Sequence, residues 1–435
     1  MDVNVHDIRN LRAERDRFRL TPVTFGVRPV TAISTVILKI YREVKSSVCC
    51  ARSSRGHKMR KLIRCTSLVF LSAFMGADLS PKVVAQALES AKKNLKYDSK
   101  GTKAMAPLAG DSIATEPDLK IAFIGDVGHG QNQQAVLRLI KSEGAQAVLH
   151  QGDFDYTNNP SQFWGSVDAV LGPNFPYFVS IGNHDVGNWP ATANPSYSKI
   201  QKDRMARIGI TPDEPDLNDG MYSIVFKGLK VVFVGERRGA GDAVYTPYIE
   251  KQLSHDNHIW VVCSWHRNMQ EMQVGGKVDD MGWGVYEACK NHGAIIATGH
   301  EHSYERTKTL TSMQNQTVDP KSPDPNHIDI GPGRSFAFVS GLGGESIRDQ
   351  TRCLPISPPY GCKGEWAKIY TSNQAAQYGV LFITFNVNHD SNKSHGYFKN
   401  INGQIVDDFD ITKDLYLTQP GATAPLGQGA GSRAR

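Results

Sequence analysis

A chain of 435 residues that is 40% hydrophobic and 9% aromatic can bury a large core in one big domain or two modest ones, which excludes a fibrous or wholly disordered protein. The formal net charge of +6 is confined to one end, because residues 1–58 hold twelve Lys and Arg against five Asp and Glu, leaving −1 for residues 59–435. The basic balance therefore gives no support to a nucleic-acid partner for the body of a soluble globular protein.

In chain order, residues 1–58 read as an upstream extension and Met59 as the true start. From Met59 the chain has a basic head (Arg60, Lys61, Arg64), an apolar run from about Cys65 to Ala77, and a small-residue end at Ala85-Gln86-Ala87. That is the order of a secretory signal over 59–87. The alternative is an apolar helix in a leader, and the run is too short for a stable membrane span. The reading predicts a secreted or periplasmic protein. Residues 88–117, rich in Lys, Ser, Ala and Asp, read as a linker or irregular N-terminal arm.

The character changes at Leu119, where short apolar runs (IAFI, AVLH, YFVSI, IWVVC, AIIA) alternate with amphipathic patterns. Residues 131–143 place Val136, Leu139 and Ile140 on one face, and residues 161–171 do the same with Phe163, Trp164, Val167, Val170 and Leu171. Unbroken strands between such helices predict an α/β domain over 118–415 with a mostly parallel, doubly covered sheet. Ligands gather at the carboxyl ends of strands in such sheets. After about residue 335 the runs SFAFVSG, YGVLFITFNV, HGYFKNING and QIVDDFDI predict antiparallel strands, with a hairpin turn at Asn402-Gly403. Residues 416–435 read as a disordered tail.

Of the cysteines in this domain, Cys353 and Cys362 bracket a Pro- and Gly-rich loop that a disulfide could close in an exported protein. Cys263, in a strand pattern, and Cys289, in a helical one, read as buried thiols. The sequons at Asn315 and Asn392 carry meaning only in a eukaryotic secretory pathway.

The ends of the five apolar runs carry the chemistry. They read Gly125-Asp126, Gly152-Asp153-Phe154-Asp155-Tyr156, Gly182-Asn183-His184-Asp185, Ser264-Trp265-His266 and Gly299-His300-Glu301-His302. Asp, Asn and His are what a hard or borderline cation takes, and each stands where a strand presents its end to a site.

This set (DxG, GDxxY, GNHD, a strand-end His, and GHxHxYER over Gly299 to Arg306) resembles the calcineurin-like metallophosphoesterases, and within them the purple acid phosphatases. The resemblance covers roughly 118–413 and includes Gly341 to Gly344. It implies a four-layer α/β/β/α sandwich with two mixed β-sheets. It also implies two metal ions, Fe(3+) with Fe(2+), Zn(2+) or Mn(2+), the first held by Asp126, Asp153, Tyr156 and His302, the second by Asp153, Asn183, His266 and His300. A phenolate and two carboxylates suit a trivalent ion, and imidazoles with an amide oxygen suit a divalent one. Two cations roughly 3.5–4 Å apart turn a shared water into hydroxide that attacks phosphorus, and they clamp the phosphate oxygens.

His184 is expected to face the substrate and either stabilise the charge of the phosphorane-like transition state or protonate the leaving oxygen, with Asp185 either orienting it or closing the turn. Members of the purple branch carry a further His shortly after the strand-end His, whereas Arg267 to Lys277 contains none. Leaving-group chemistry then falls to His184 alone, or to Glu271 or Lys277 if the loop folds inward. A second departure is Glu236-Arg237-Arg238, where Arg237 is a candidate substrate contact against the alternative of a solvated charge pair. His129 is a further candidate substrate contact, and Arg267 reads either as a substrate contact or as surface. Glu305 and Arg306 are expected to form a buried ion pair behind the histidine loop.

The expected function is hydrolysis of small phosphorylated substrates, phosphate monoesters first, by an acid phosphatase-like enzyme. A phosphodiesterase or nucleotide hydrolase on the same metals, or a non-catalytic metal-binding relative, are the alternatives. The oligomeric state is left open.

Overall fold

The computed structural model describes residues 112–214, 217, 220–236 and 241–414. The upstream extension, the signal segment, nearly all of the N-terminal arm, the C-terminal tail and Arg237 lie outside them.

The first half alternates strand and helix. Strands β1 (Leu119–Ile124), β2 (Ala147–His150) and β3 (Tyr177–Val179) run parallel, linked by helices α1 (Gln131–Ser142) and α2 (Pro160–Leu171). Helix α2 starts where the sequence says it should, with Pro160 in the first turn and the Asn159 side chain accepting from Gln162 N–H. Helix α3 (Tyr197–Arg207) follows, then β4 (Tyr222–Phe226), β5 (Leu229–Phe233), α4 (Gly241–Leu253), β6 (Val261–Ser264), α5 (Trp283–Asn291) and β7 (Ile295–Thr298). The rest is strand: β8 (Tyr304–Thr307), β9 (Leu310–Ser312), β10 (Thr317–Val318), β11 (His327–Ile330), β12 (Ala337–Ser340), β13 (Trp366–Tyr370), β14 (Gly379–Phe385), β15 (Lys393–Asn400) and β16 (Ile405–Lys413).

These strands form two seven-stranded mixed sheets and the small β9–β10 ribbon. One sheet has the order β11-β16-β15-β14-β1-β2-β3, the other β13-β8-β12-β7-β6-β5-β4. The expectation of one mostly parallel sheet is corrected here. The parallel strands divide between two sheets, and the late antiparallel strands extend both: β14 pairs with β1, while β12 lies between β7 and β8. The inner faces meet in a common core, where Phe123 of β1 packs edge-on against Phe338 of β12 with centroids 5.2 Å apart. Residues of α1, α2 and α3 join this main core, while α4 and α5 cover the outer face of the second sheet through Tyr245, Ile249 and Val285, which gives the α/β/β/α order. Among the described residues no helix is long and apolar enough to cross a membrane.

Two expectations about side chains fail for physical reasons. Glu305 and Arg306 do not pair, because neighbours on a strand point to opposite faces. Arg306 instead crosses to the other sheet and grips Asp407 of β16, with Nε–Oδ2 2.7 Å and Nη2–Oδ1 3.0 Å. Tyr304, two residues away on the same face, donates to Asp407 Oδ2 at 2.7 Å. The other misreading concerns Cys263 and Cys289, which are bonded to each other and tie β6 to α5, as Cys353 and Cys362 close their loop. A strand pattern and a helical pattern show nothing of their contact across layers.

The pair Arg306–Asp407 is fully desolvated, so removing one charge strands the other. Asp407→Asn is expected to cost about 3–5 kcal/mol in urea unfolding, and Arg306→Met with Asp407→Leu to recover much of that loss. Burial also lowers the Lys413 ammonium from its ordinary 10.5 to about 8. Between those values the unfolded chain binds more protons, so the contribution of Lys413 to stability rises with pH through that window and is smallest below it. Lys413→Met is expected to remove that rise when stability is measured from pH 7.5 to 10.

Candidate metal centre

The five motif loops leave β1, β2 and β3 of one sheet and β6 and β7 of the other, and they meet in the gap at the carboxyl ends of these strands. Asp126 Oδ1, Tyr156 Oη and His302 Nε2 lie 3.1, 3.1 and 3.3 Å from one another. Beside them His266 Nε2 is 3.2 Å from Asp153 Oδ2, 3.2 Å from Asn183 Oδ1 and 3.1 Å from His300 Nδ1. The seven expected ligands thus fall into two groups divided as the motifs imply, with the bridging role of Asp153 resting on the resemblance. Asp126, Asp153, His266, His300 and His302 are buried, and Asn183 and Tyr156 are partly so.

Each imidazole is aimed by its other nitrogen or by its backbone. His266 Nδ1 lies 2.7 Å from the Gln151 carbonyl, which takes a proton there and leaves Nε2 for the cage. His302 Nδ1 meets Ser346 Oγ at 2.5 Å, and His300 N–H donates to Asp126 Oδ2 at 2.8 Å. Asp126, Asp153, Tyr156 and His300 all have left-handed φ, between 55° and 71°. Such backbone is uncommon outside glycine and gathers at functional sites. Gly182 matters by approach, since a Cβ there would stand 2.1 Å from Asp153 Oδ1.

Burial and mutual proximity shift the protonation of these donors. Burial, then the Asp126 and Asp153 carboxylates, push the Tyr156 hydroxyl far above its usual range. Burial disfavours a charged His266, but Asp153 overrides it and raises the imidazole to about 9. Burial and the His266 charge hold His300 neutral. A cation between these groups reverses the penalty on the phenolate and removes the like-charge repulsion. The donor set, two carboxylates, a phenol, an amide oxygen and three imidazoles, fits a pair of metal ions. A second convergence of Cys353, Cys362 and Glu365 does not, because both sulfurs are used in the disulfide.

The remaining candidates separate. His184 is exposed at the mouth with its ring 4.5 Å from that of Tyr156. The Asp185 carboxylate accepts from the backbone N–H of Asp153, Phe154 and Gly182 at 2.7–2.9 Å, so it closes the turn and fixes the neighbouring ligand loops. His129 is exposed, with Nδ1 3.3 Å from the Asp155 carbonyl. Arg267 matches neither of its readings, substrate contact or surface: it bridges Glu236 and Asp280 with 14% of its side chain exposed. Glu236 accordingly pairs with Arg267. Two residues escaped sequence reasoning, Ser346 and Arg348, whose Nη2 lies 3.5 Å from His302 Nε2. Their one signal was position, directly after the Gly341-to-Gly344 turn.

Residues 119–304 match the family model for the calcineurin-like phosphoesterases, so this part of the chain carries a calcineurin-like phosphoesterase domain. Among solved structures it is similar to the purple acid phosphatase PPD1 from yellow lupin (Lupinus luteus) seeds, with 18% identity and a TM-score of 0.51 over 71% of this chain and 57% of that one. It therefore spans little more than half the length of the lupin chain, and the likeness is one of fold. PhoD (11% identity, TM-score 0.42, 69% of this chain and 74% of that one) is also similar. So is GAP50, the anchor in the inner membrane complex of Plasmodium (10%, 0.43, 73% and 100%). No curated protein matches the chain.

Gly182→Ala is expected to displace Asp153 and lower the metal bound per chain, as measured by elemental analysis, while the far-ultraviolet circular dichroism of the fold persists.

Proposed function

We propose that the protein is a dinuclear-metal phosphoesterase of the purple acid phosphatase type that hydrolyses phosphate monoesters. The observation that carries this reading is the convergence of Tyr156 Oη with Asp126 Oδ1 and His302 Nε2 beside a second group of imidazole, amide and carboxylate donors. A phenol among carboxylates suits Fe(3+), and the second group suits Fe(2+), Zn(2+) or Mn(2+). When bound, the ions supply an acidified water as nucleophile and neutralise the phosphate oxygens.

The chain supplies the rest. Asp185 holds the Asp153 loop against the Asn183 loop through backbone N–H groups. His184, exposed against the ring of Tyr156, gives a proton from its imidazole to the departing oxygen in this reading. Ser346 and the Gln151 carbonyl hold the two imidazoles they touch in fixed orientation. We also propose export, since two disulfides among the described residues suit an oxidising compartment and Met59 opens a signal-like segment.

Asn183→Ala and His266→Ala are each expected to remove one metal and lower kcat by more than the roughly 10–100-fold of an outer-shell change. Turnover that survives both would sink the two-metal reading. In the iron-loaded protein a visible charge-transfer band is expected, and Tyr156→Phe should abolish it. A substrate panel should show monoesters turned over faster than diesters.

A further inference from the structure

The two strand-end histidines of the second donor group, His266 and His300, stand on loops that leave the neighbouring parallel strands β6 and β7. A residue outside the cage joins these loops. Asn268, shortly after His266, is fully buried, and its Nδ2 donates to the Gly299 carbonyl at 2.6 Å. A carbonyl only accepts, so the amide has one orientation and its Oδ1 is turned toward α5. There Oδ1 accepts from Tyr286 Oη at 3.0 Å. Burial pushes the Tyr286 hydroxyl above its ordinary range, so it keeps its proton and remains the donor.

The carbonyl that Asn268 holds belongs to a turn under strain. Gly299 O also accepts from Glu301 N–H at 2.9 Å, which makes a three-residue turn with His300 at its centre and a φ of 71° there. Positive φ is the rare and strained form of such a turn. In this conformation His300 Nδ1 lies 3.1 Å from His266 Nε2. One hydrogen bond already satisfies the Gly299 carbonyl, so the second adds hold on the turn. Gly299 is also gripped from its other side, where its N–H donates to the His266 carbonyl at 3.1 Å. A Cβ on Gly299 would stand 2.8 Å from the Gln151 carbonyl oxygen and 3.2 Å from His266 Nδ1.

Tyr286 is fixed in turn. Its ring packs edge-on against Trp265, the neighbour of His266, with centroids 4.8 Å apart. One helical turn further on, Cys289 is bonded to Cys263 of β6. Helix α5 is thereby pinned to the strand that delivers His266, and through Tyr286 and Asn268 it reaches the turn that delivers His300. A buried amide is costly unless its donor and acceptor ends are both bonded, and here both are.

We propose that Asn268, oriented by Tyr286, is a positioning residue for the second metal ion: it holds the turn from Gly299 to Glu301 in the strained form that brings His300 to His266. The proposal rests on the two-metal reading and requires that the second ion depend on Asn268 more than the first does.

The test begins with Asn268→Leu, which is close in shape but lacks the donor, and titrates Zn(2+) by calorimetry into protein whose first site holds iron. Affinity for zinc should fall about ten- to a hundredfold, the range for a residue that orients a metal ligand, while the iron content and the visible Tyr156 band persist. Tyr286→Phe should weaken zinc binding in the same direction and serves if Asn268→Leu fails to fold. Added to Asn268→Leu it should cost less than it does alone, because the two side chains act through one contact. In the metal-free protein, deuterium exchange at the His300 and Glu301 amides should quicken about tenfold or more in Asn268→Leu, while the amides of β6 keep their protection. Undiminished zinc affinity, loss of iron to the same extent as zinc, or unchanged exchange at those two amides would each overturn the proposal. If the wild-type protein takes up a single metal ion, the two-metal reading fails, and the exchange measurement still decides whether Asn268 holds the turn.

Discussion

The structure depends on one constraint: seven polar side chains, the candidate metal ligands and most of them buried, must be held in two close groups although several of them repel. Asp126 and Asp153 contribute two carboxylates, and the His266 charge disfavours protonation of His300 close by. No single loop could impose this arrangement, since short loops have few contacts with which to resist it. Two sheets can. Each presents strand ends to the same gap, and the shared core beneath them, with Phe123 against Phe338 and Tyr304 stacked on Phe398 at 4.2 Å, fixes the distance between those ends.

Several devices translate that rigid frame into ligand geometry. The Arg306–Asp407–Tyr304 cluster is a directional bond between the sheets, set just below the histidine loop. Its hydrogen bonds resist sliding of one sheet over the other, which apolar contacts alone permit. On the other side of the site the Asp185 carboxylate gathers three backbone N–H groups from two loops, so that Asp153 and Asn183 cannot move independently. The left-handed backbone at four ligands is the local cost of turning each side chain back toward the gap, and the bonds around it sustain that conformation.

Around the cage the charges are sorted by side. Arg267 is neutralised by Glu236 and Asp280 and serves as a brace beneath its neighbour His266. Arg348 faces the buried carboxyl of Glu301 at 3.8 Å. An arginine adjacent to a ligand was the more obvious substrate contact, yet its neighbours consume its charge. The loop that carries Arg348 packs on the carbonyl of residue 274 and is closed nearby by the Cys353–Cys362 bond.

What the sequence determined was local: the apolar runs, the helices with their caps, and the donors that end each run, because periodicity and short motifs act over a few residues. It also contained, in the donors at the ends of the five runs, the composition of the two donor groups. Only the tertiary structure decided that the five ends belong to two sheets, that Arg306 pairs with Asp407 across a hundred positions and not with its neighbour, and that Cys263 bonds Cys289. The same holds for Arg348 meeting Glu301. A residue type states what a side chain can offer, but its partner is set by which distant strands the folding core brings together.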